Sequence, residues 1–225
     1  MFYSNELFPF TEELSASWHV VREELDALKK GEFMEWPEHS LYGEHGWTTF
    51  GLYAFGQRQP AGCARCPRTE RLVSQIPGLM MAGFSRLEPG AHIVPHRGYE
   101  GYSGYVLRFH LGLDVPGNCA LRVGDETRSW RDGQCFVFDD STEHEAWNHS
   151  DRVRTILLCD FLNPLRRRPL ILNPKFTPEL IGYIERDYLP QRGLGQRLLW
   201  YMWKLTNPAL LRQARANVAR DHYDA

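Results

Sequence analysis

The sequence holds no uninterrupted run of about 18 apolar residues, so a membrane-spanning helix is not expected. It has no basic excess either. Lys and Arg number 26 against 28 Asp and Glu, a net charge of −2, which disfavours a general nucleic-acid binder. The opening MFYSNELFPFTEEL is acidic and lacks a charged stretch followed by an apolar run, so no secretory signal is expected. Cysteines are few and odd in number, five in 225 residues, with Cys63 and Cys66 in a lone CxxC. One such pair cannot complete a four-ligand structural zinc site, and an odd count argues against a disulfide framework. Two loop thiols in a reducing cytoplasm is the plain reading. There is no HExxH motif, no internal repeat and no low-complexity tract.

What is present suffices for a core: 43% of residues are hydrophobic and 24% charged, which excludes wholesale disorder. The length suits one ordinary domain with a short appendage. Three stretches differ in pattern. In residues 1–45 the spacing of Leu14, Trp18, Val21, Leu25 and Leu28 predicts a helix that begins near Thr11 and ends by Gly31. Residues 46–165 carry short apolar or alternating runs: TTFGLYAF, MMAGFSRL, HIVPH, YVLRFHLGL, CALRV, QCFVF and VRTILLCDFL. Turn residues such as PG, GYEG, PGN, GDE and RDG separate them, which reads as an antiparallel barrel or sandwich. Residues 166–225 open with prolines and then follow helical periods in ELIGYIERDYL, LGQRLLWYMWKL and ALLRQARANVARDH.

The chemistry-bearing residues fall in the strand-rich part. Five of nine histidines lie between positions 92 and 149. His96 ends the HIVPH run before a glycine-rich turn, and His144 follows CFVF and the pair Asp139–Asp140. Imidazole suits iron, zinc and copper, and two histidines from separate strands can share one ion. Each alone also reads as an ordinary hydrogen-bonded histidine. His149, five positions after His144, would face the other side of a strand and is a poor third ligand. Arg154 stands in an otherwise apolar run, and a buried arginine needs an anion; a carboxylate fits its planar fork. In YVLRFHLGL, strict alternation puts Val106, Arg108 and His110 on one face and Leu107, Phe109 and Leu111 on the other. The polar face is either a solvated exterior or a barrel interior, and alternation alone does not choose.

Taken together, SRLEPGAHIVPHRG, LRFHLGL, FDDSTEHEAW and RTILLCDFLNP, with GWTTFGLYAFGQ and PRTERLV upstream, resemble the aspartyl/asparaginyl β-hydroxylase family over about residues 45–165. The resemblance implies a mainly β double-stranded β-helix (a cupin-like jelly roll) with an N-terminal helix and C-terminal helices. It implies an iron(II)- and 2-oxoglutarate-dependent dioxygenase that uses O2 to hydroxylate an unactivated C–H bond, releasing succinate and carbon dioxide. His96 and His144 would hold the iron, and Asp140 would hold water at the metal. Arg154, assisted by Ser85, would take the distal carboxylate of 2-oxoglutarate. His110 would meet the other carboxylate or the substrate, and Arg108 the substrate. Position 98, where related iron sites carry an acid, is Gly98 here and in the family it resembles. Iron halogenases also lack that acid, so hydroxylation and halogenation both stay open.

The substrate expected is an amino acid, free, carrier-bound or in a peptide; lipid acyl hydroxylases of the wider family supply the alternative. A cupin-type metal enzyme or a non-catalytic carboxylate-binding barrel would share much of the pattern. The C-terminal Leu194, Leu198, Leu199, Met202 and Leu205 share one helical face with Trp200, Tyr201 and Trp203 nearby, and Arg166–Arg168 form a basic run upstream. Such a helix packs against a neighbour or lies on a membrane surface.

Overall fold

The computed structural model describes residues 1–43, 46–166 and 174–206. The chain divides into two compact units, Met1–Leu172 and Asn173–Ala225, a few residues beyond the expected boundary at 165. In chain order the first unit contains β1 (Phe2–Tyr3), α1 (Phe10–Ala16), α2 (Trp18–Asp26), β2 (Met34–Glu35), β3 (Trp47–Ala54), β4 (Gln57–Arg58), α3 (Pro60–Arg65), α4 (Pro67–Val73) and β5 (Leu79–Leu87). It continues through β6 (His92–His96), β7 (Val106–Asp114), β8 (Cys119–Val123), β9 (Glu126–Arg128), β10 (Cys135–Phe138), β11 (His144–Asn148) and β12 (Arg154–Leu162). All seven strands expected from alternation are present.

The strands form two sheets. The larger runs β1-β10-β7-β12-β5-β3-β2, with β4 on β3, and the smaller runs β6-β11-β8-β9. The named strands pair antiparallel throughout, the arrangement of a double-stranded β-helix. Each face of the large sheet has its own core. One cluster joins Phe50, Leu52, Phe84, Leu107, Phe109, Leu111, Val137, Leu157, Cys159 and Phe161 to Leu14, Val21 and Leu25 of α1 and α2. The other joins Trp47, Leu87, Phe136, Phe138 and Ile156 of the large sheet to Ile93, Leu121, Val123 and Ala146 of the small one. The helices therefore cover the outside of the large sheet, and the second cluster is the barrel interior. At about 25 cal/mol per Å2 of apolar surface removed from water, both cores contribute, so strands covered on both faces lose simple hydrophobic alternation.

Three local details depart from expectation. The N-terminal helix is two helices, broken at Ser17 (φ −96°, ψ 9°), yet Leu14, Val21 and Leu25 remain buried on one side. The strand-rich stretch also holds α3 and α4, both opened by proline at the first helical turn. Consequently Cys63 and Cys66 are not loop thiols: Cys63 lies in α3, Cys66 joins α3 to α4, and both are fully buried. The N-terminus of α4 is completed by Glu24 of α2, which accepts hydrogen bonds from Arg68 N (2.9 Å), Thr69 N (2.7 Å) and Thr69 Oγ1 (2.7 Å).

The second unit contains α5 (Pro178–Tyr183), continued by a wider turn over Ile184–Tyr188, and α6 (Leu194–Thr206). Thr177 caps α5 by accepting from Leu180 N at 3.3 Å. The helix expected in ALLRQARANVARDH lies outside the described residues. No helix among the described residues is long and apolar enough to cross a membrane.

Candidate active site

The barrel interior collects the polar side chains that the sequence singled out. On β12 the inward side is Arg154, Ile156, Leu158 and Asp160, paired across the strands with Leu87, Ser85, His110 and Arg108. The face of Val106, Arg108 and His110 is thus the interior and not a solvated exterior. The opposite, apolar face lies beneath the helices.

At one end stand two histidines. β6 and β11 pair so that His96 lies directly opposite His144, and their ring centroids are 4.2 Å apart. His96 Nδ1 is 2.8 Å from Val94 O and His144 Nδ1 is 2.9 Å from Thr142 O. A carbonyl only accepts, so each Nδ1 carries the proton and each Nε2 keeps its lone pair. Burial lowers both pKa values, that of His144 to about 4, so both rings are neutral near pH 7. Neutral imidazoles with fixed tautomers are the form that ligates a metal. Among the described residues no group of three or more His, Cys, Asp or Glu is arranged to hold an ion. A metal here would rest on the two histidines, with its other positions left to small ligands.

Asp140 is 1% exposed and completes this end. Its Oδ1 lies 3.4 Å from His144 Nε2 and 2.6 Å from Arg108 Nη1, and its Oδ2 accepts from Ser103 Oγ at 2.7 Å. Burial raises the cost of its charge, but Arg108 and the Ser103 hydroxyl outweigh it and hold the carboxyl below the usual range. Gly98 N donates to Asp140 O at 3.0 Å. A β-carbon at position 98 would lie 1.8 Å from Asp140 Oδ2 and 2.0 Å from Ser103 Oγ. Only glycine fits, because the Asp140 carboxylate and the Ser103 hydroxyl occupy the space a side chain would need.

Arg108, expected to meet the substrate, is bound mainly by carboxylates of the protein itself. Its Nε and Nη2 bind Asp160 at 2.7 and 2.9 Å while Nη1 faces Asp140. Two buried carboxylates take three of its five N–H groups, so Arg108 holds Asp140 in place. Tyr102 adds a hydrogen bond to Asp160.

The other end is differently built. Arg154 is 1% exposed, and among the described residues no carboxylate pairs with it. Its Nη1 donates to Ser85 O at 3.3 Å, its Cζ lies 4.6 Å above the Trp130 ring, and its Nε has no partner. Burial pulls its pKa down to about 10, the signature of a cation short of an anion. Ser85 Oγ accepts from Trp47 Nε1 at 3.0 Å. Trp130 Nε1 donates to His110 Nδ1 at 3.4 Å. Burial, with Arg108 and Arg154 near, keeps His110 neutral, so its Nε2 carries a proton that finds no acceptor. The Phe138 ring stands between the two ends, 5.0 Å from His110 and 5.5 Å from His144. A small dicarboxylate fits this donor set: Arg154 and His110 Nε2–H offer unspent hydrogen bonds, and the bare imidazoles offer a metal.

All seven candidate residues thus line one interior. Sequence reasoning missed Ser103, Asp160, Trp47, Trp130 and Tyr102. Their only signal was polarity or aromatic size, and their roles depend on contacts tens of residues away. His149 lies outside, stacked on Trp147.

Comparison with known proteins follows the same lines. The sequence profile of the family described as aspartyl/asparaginyl beta-hydroxylase matches residues 15–164. The ornithine lipid ester-linked acyl 2-hydroxylase of Rhizobium tropici is 38% identical over 181 residues, covering 76% of this chain and 63% of that protein. The human aspartyl/asparaginyl beta-hydroxylase is 33% identical over 169 residues, 70% of this chain and 22% of that protein. The chain therefore spans less than two thirds of either relative. A cupin-2 domain from Rhodospirillum rubrum superposes with a TM-score of 0.40 and 12% identity over 71% of this chain and 86% of that one, too loosely to carry an argument. By the profile match over residues 15–164, the chain belongs to the aspartyl/asparaginyl β-hydroxylase family.

Proposed function

We propose that this protein is an iron(II)- and 2-oxoglutarate-dependent hydroxylase acting on an unactivated C–H bond. The observation that carries the reading is the division of the barrel interior. Two neutral imidazoles with bare Nε2 atoms stand at one end, and an anion-short arginine stands with a donor-ready histidine at the other. The metal, when bound, supplies the activation of dioxygen. His96 and His144 hold it, each oriented by a carbonyl behind its Nδ1. Arg154 binds the far carboxylate of the co-substrate, with Ser85 and Trp130 fixing the guanidinium. His110 donates its Nε2–H to a co-substrate oxygen. Asp140, ionised and held by Arg108 and Ser103, accepts a hydrogen bond from water at the metal. Phe138 and the apolar interior exclude bulk water from the reacting carbon.

The Asp140 carboxylate beside Gly98 favours hydroxylation over halogenation, because it would repel a chloride held near the two histidines. The family name points to the β-carbon of an aspartyl or asparaginyl residue. A lipid acyl chain is the second reading, supported by the Rhizobium relative, which aligns over the larger share of this chain. Buried free thiols and a near-neutral charge fit a cytoplasmic enzyme that does not bind nucleic acid.

The test is anaerobic loading with iron(II), then titration of 2-oxoglutarate while the visible charge-transfer band is recorded. The band appears with the wild type and is absent in His96→Ala and His144→Ala. Iron binding without the band would make this a cupin-type metal enzyme. Binding of neither would leave a carboxylate-binding barrel.

A further inference from the structure

The second unit carries an apolar surface that the barrel chemistry does not use. On α6, Leu194, Leu198, Tyr201 and Leu205 follow one another at spacings of four, three and four, which places them in one stripe. Their exposures run from 48% to 72%. The helix is not short of an inner side. Trp200 and Trp203 pack together at 4.9 Å and against Phe176, and Trp200 Nε1 and Lys204 Nζ both bind Glu185 Oε1. So α6 has one apolar face engaged within its unit and a second one turned to solvent, where isolated leucines are ordinary but a continuous stripe is not.

Charge narrows the occupant. The helix contains Arg197 and Lys204 and no acidic residue. At 100° per residue both fall on one flank of the stripe, but Lys204 is half-buried and paired with Glu185, which leaves Arg197 as the flank's exposed cation. Two copies meeting antiparallel through this stripe would bring their Arg197 side chains to the same flank. An anionic surface would meet the leucines and the cation at once. Tyr201, apolar in body and polar at its tip, suits the headgroup level. Thirteen residues make a helix of roughly 20 Å, too short to cross a bilayer of about 30 Å but long enough to lie within its surface.

We propose that α6 docks the protein on an anionic phospholipid surface through Leu194, Leu198, Tyr201 and Leu205. This goes beyond the hydroxylase reading and does not depend on it. If the substrate is a lipid, such docking raises its local concentration at the enzyme.

The test is sedimentation of the full chain with vesicles of phosphatidylglycerol and phosphatidylethanolamine, and with vesicles of phosphatidylcholine alone. Recovery is expected with the anionic vesicles and is expected to fall as salt rises. Leu198→Glu with Leu205→Glu, both on the exposed stripe, should weaken it at least tenfold with an unchanged circular dichroism spectrum. Arg197→Gln, which leaves the apolar stripe intact, should reduce the preference for anionic vesicles. Failure of the wild type to sediment overturns the proposal, as does equal recovery of the double-glutamate variant. A wild-type dimer that the double variant dissociates, without vesicle binding, assigns the face to a second copy and also overturns it. The iron and 2-oxoglutarate band, recorded on the same preparations, separates failure here from failure of the hydroxylase reading.

Discussion

The Asp140 carboxylate occupies the space that any side chain at position 98 would need. Gly98 is therefore matched to Asp140 and Ser103, and the missing acid of the HxD/E pattern is not a defect to be repaired. Gly98→Ala should displace both partners and destabilise the fold by about 1–3 kcal/mol, the usual cost of overpacking. Gly98→Asp should not create a better iron site. It would set a second carboxylate against Asp140, and both iron affinity and melting temperature should fall. Tighter iron binding by Gly98→Asp would show that the Asp140 position is adaptable.

Arg154 should trade stability for function. A buried cation without an acidic partner costs free energy, so Arg154→Met should leave the ligand-free protein as stable or up to about 4 kcal/mol more stable. The same change should weaken 2-oxoglutarate binding by roughly 100-fold or more, since a hydrogen-bonded charge is worth about 1.5–3 kcal/mol per bond and two are available. Arg154→Lys should still lose about tenfold, because a point charge does not reproduce the fork. Thermal melts and calorimetric titration measure the two effects separately.

How much of this was legible in the sequence depends on the residue. Arg154 was, because an arginine inside an apolar strand demands an explanation wherever it points. The histidine pair was, because both sit at strand ends beside turns. Arg108 was half legible: alternation grouped it with His110, but nothing local revealed Asp160, 52 residues away, which claims its fork. The side that Arg108 faces was also hidden. A strand buried on both faces presents polar residues to the interior and apolar ones to covering helices, the reverse of the pattern that alternation normally signals. The break at Ser17 escaped because it preserves the phase of the buried leucines and valine.

Glu24 gives the fold a measurable acid sensitivity. Burial opposes its ionisation, but the two backbone donors, the Thr69 hydroxyl and Arg68 prevail and hold its pKa below 4.5. A depressed folded-state value means that the stabilisation is fully present above the unfolded value and is lost as pH falls through the folded one. Glu24→Gln should cost about 1–3 kcal/mol at pH 7, with the gap to wild type narrowing below pH 4.5. A gap that stays constant from pH 7 to pH 3 in denaturant titrations would contradict this account.

The lone CxxC should be chemically silent. Burial pushes the Cys66 thiol up to about 12 and raises that of Cys63 as well, so little thiolate exists near pH 8. Iodoacetamide should label neither in the native protein and both after denaturation, as read by mass mapping of the peptides. Rapid native labelling of Cys66 would mean that α3 and α4 open readily.

The two-faced large sheet sorts mutations by parity. Along β7 and β12 the even-numbered positions, 108, 110, 154, 156, 158 and 160, look into the barrel, while 107, 109, 111, 157, 159 and 161 look toward the helices. Neighbouring codons in these strands therefore answer to different selection: damage at an odd position lowers how much protein survives, and damage at an even one lowers what each surviving molecule can do. A one-residue slip of either strand would exchange the two sets at a stroke, putting guanidinium under the helices and phenylalanine inside the barrel.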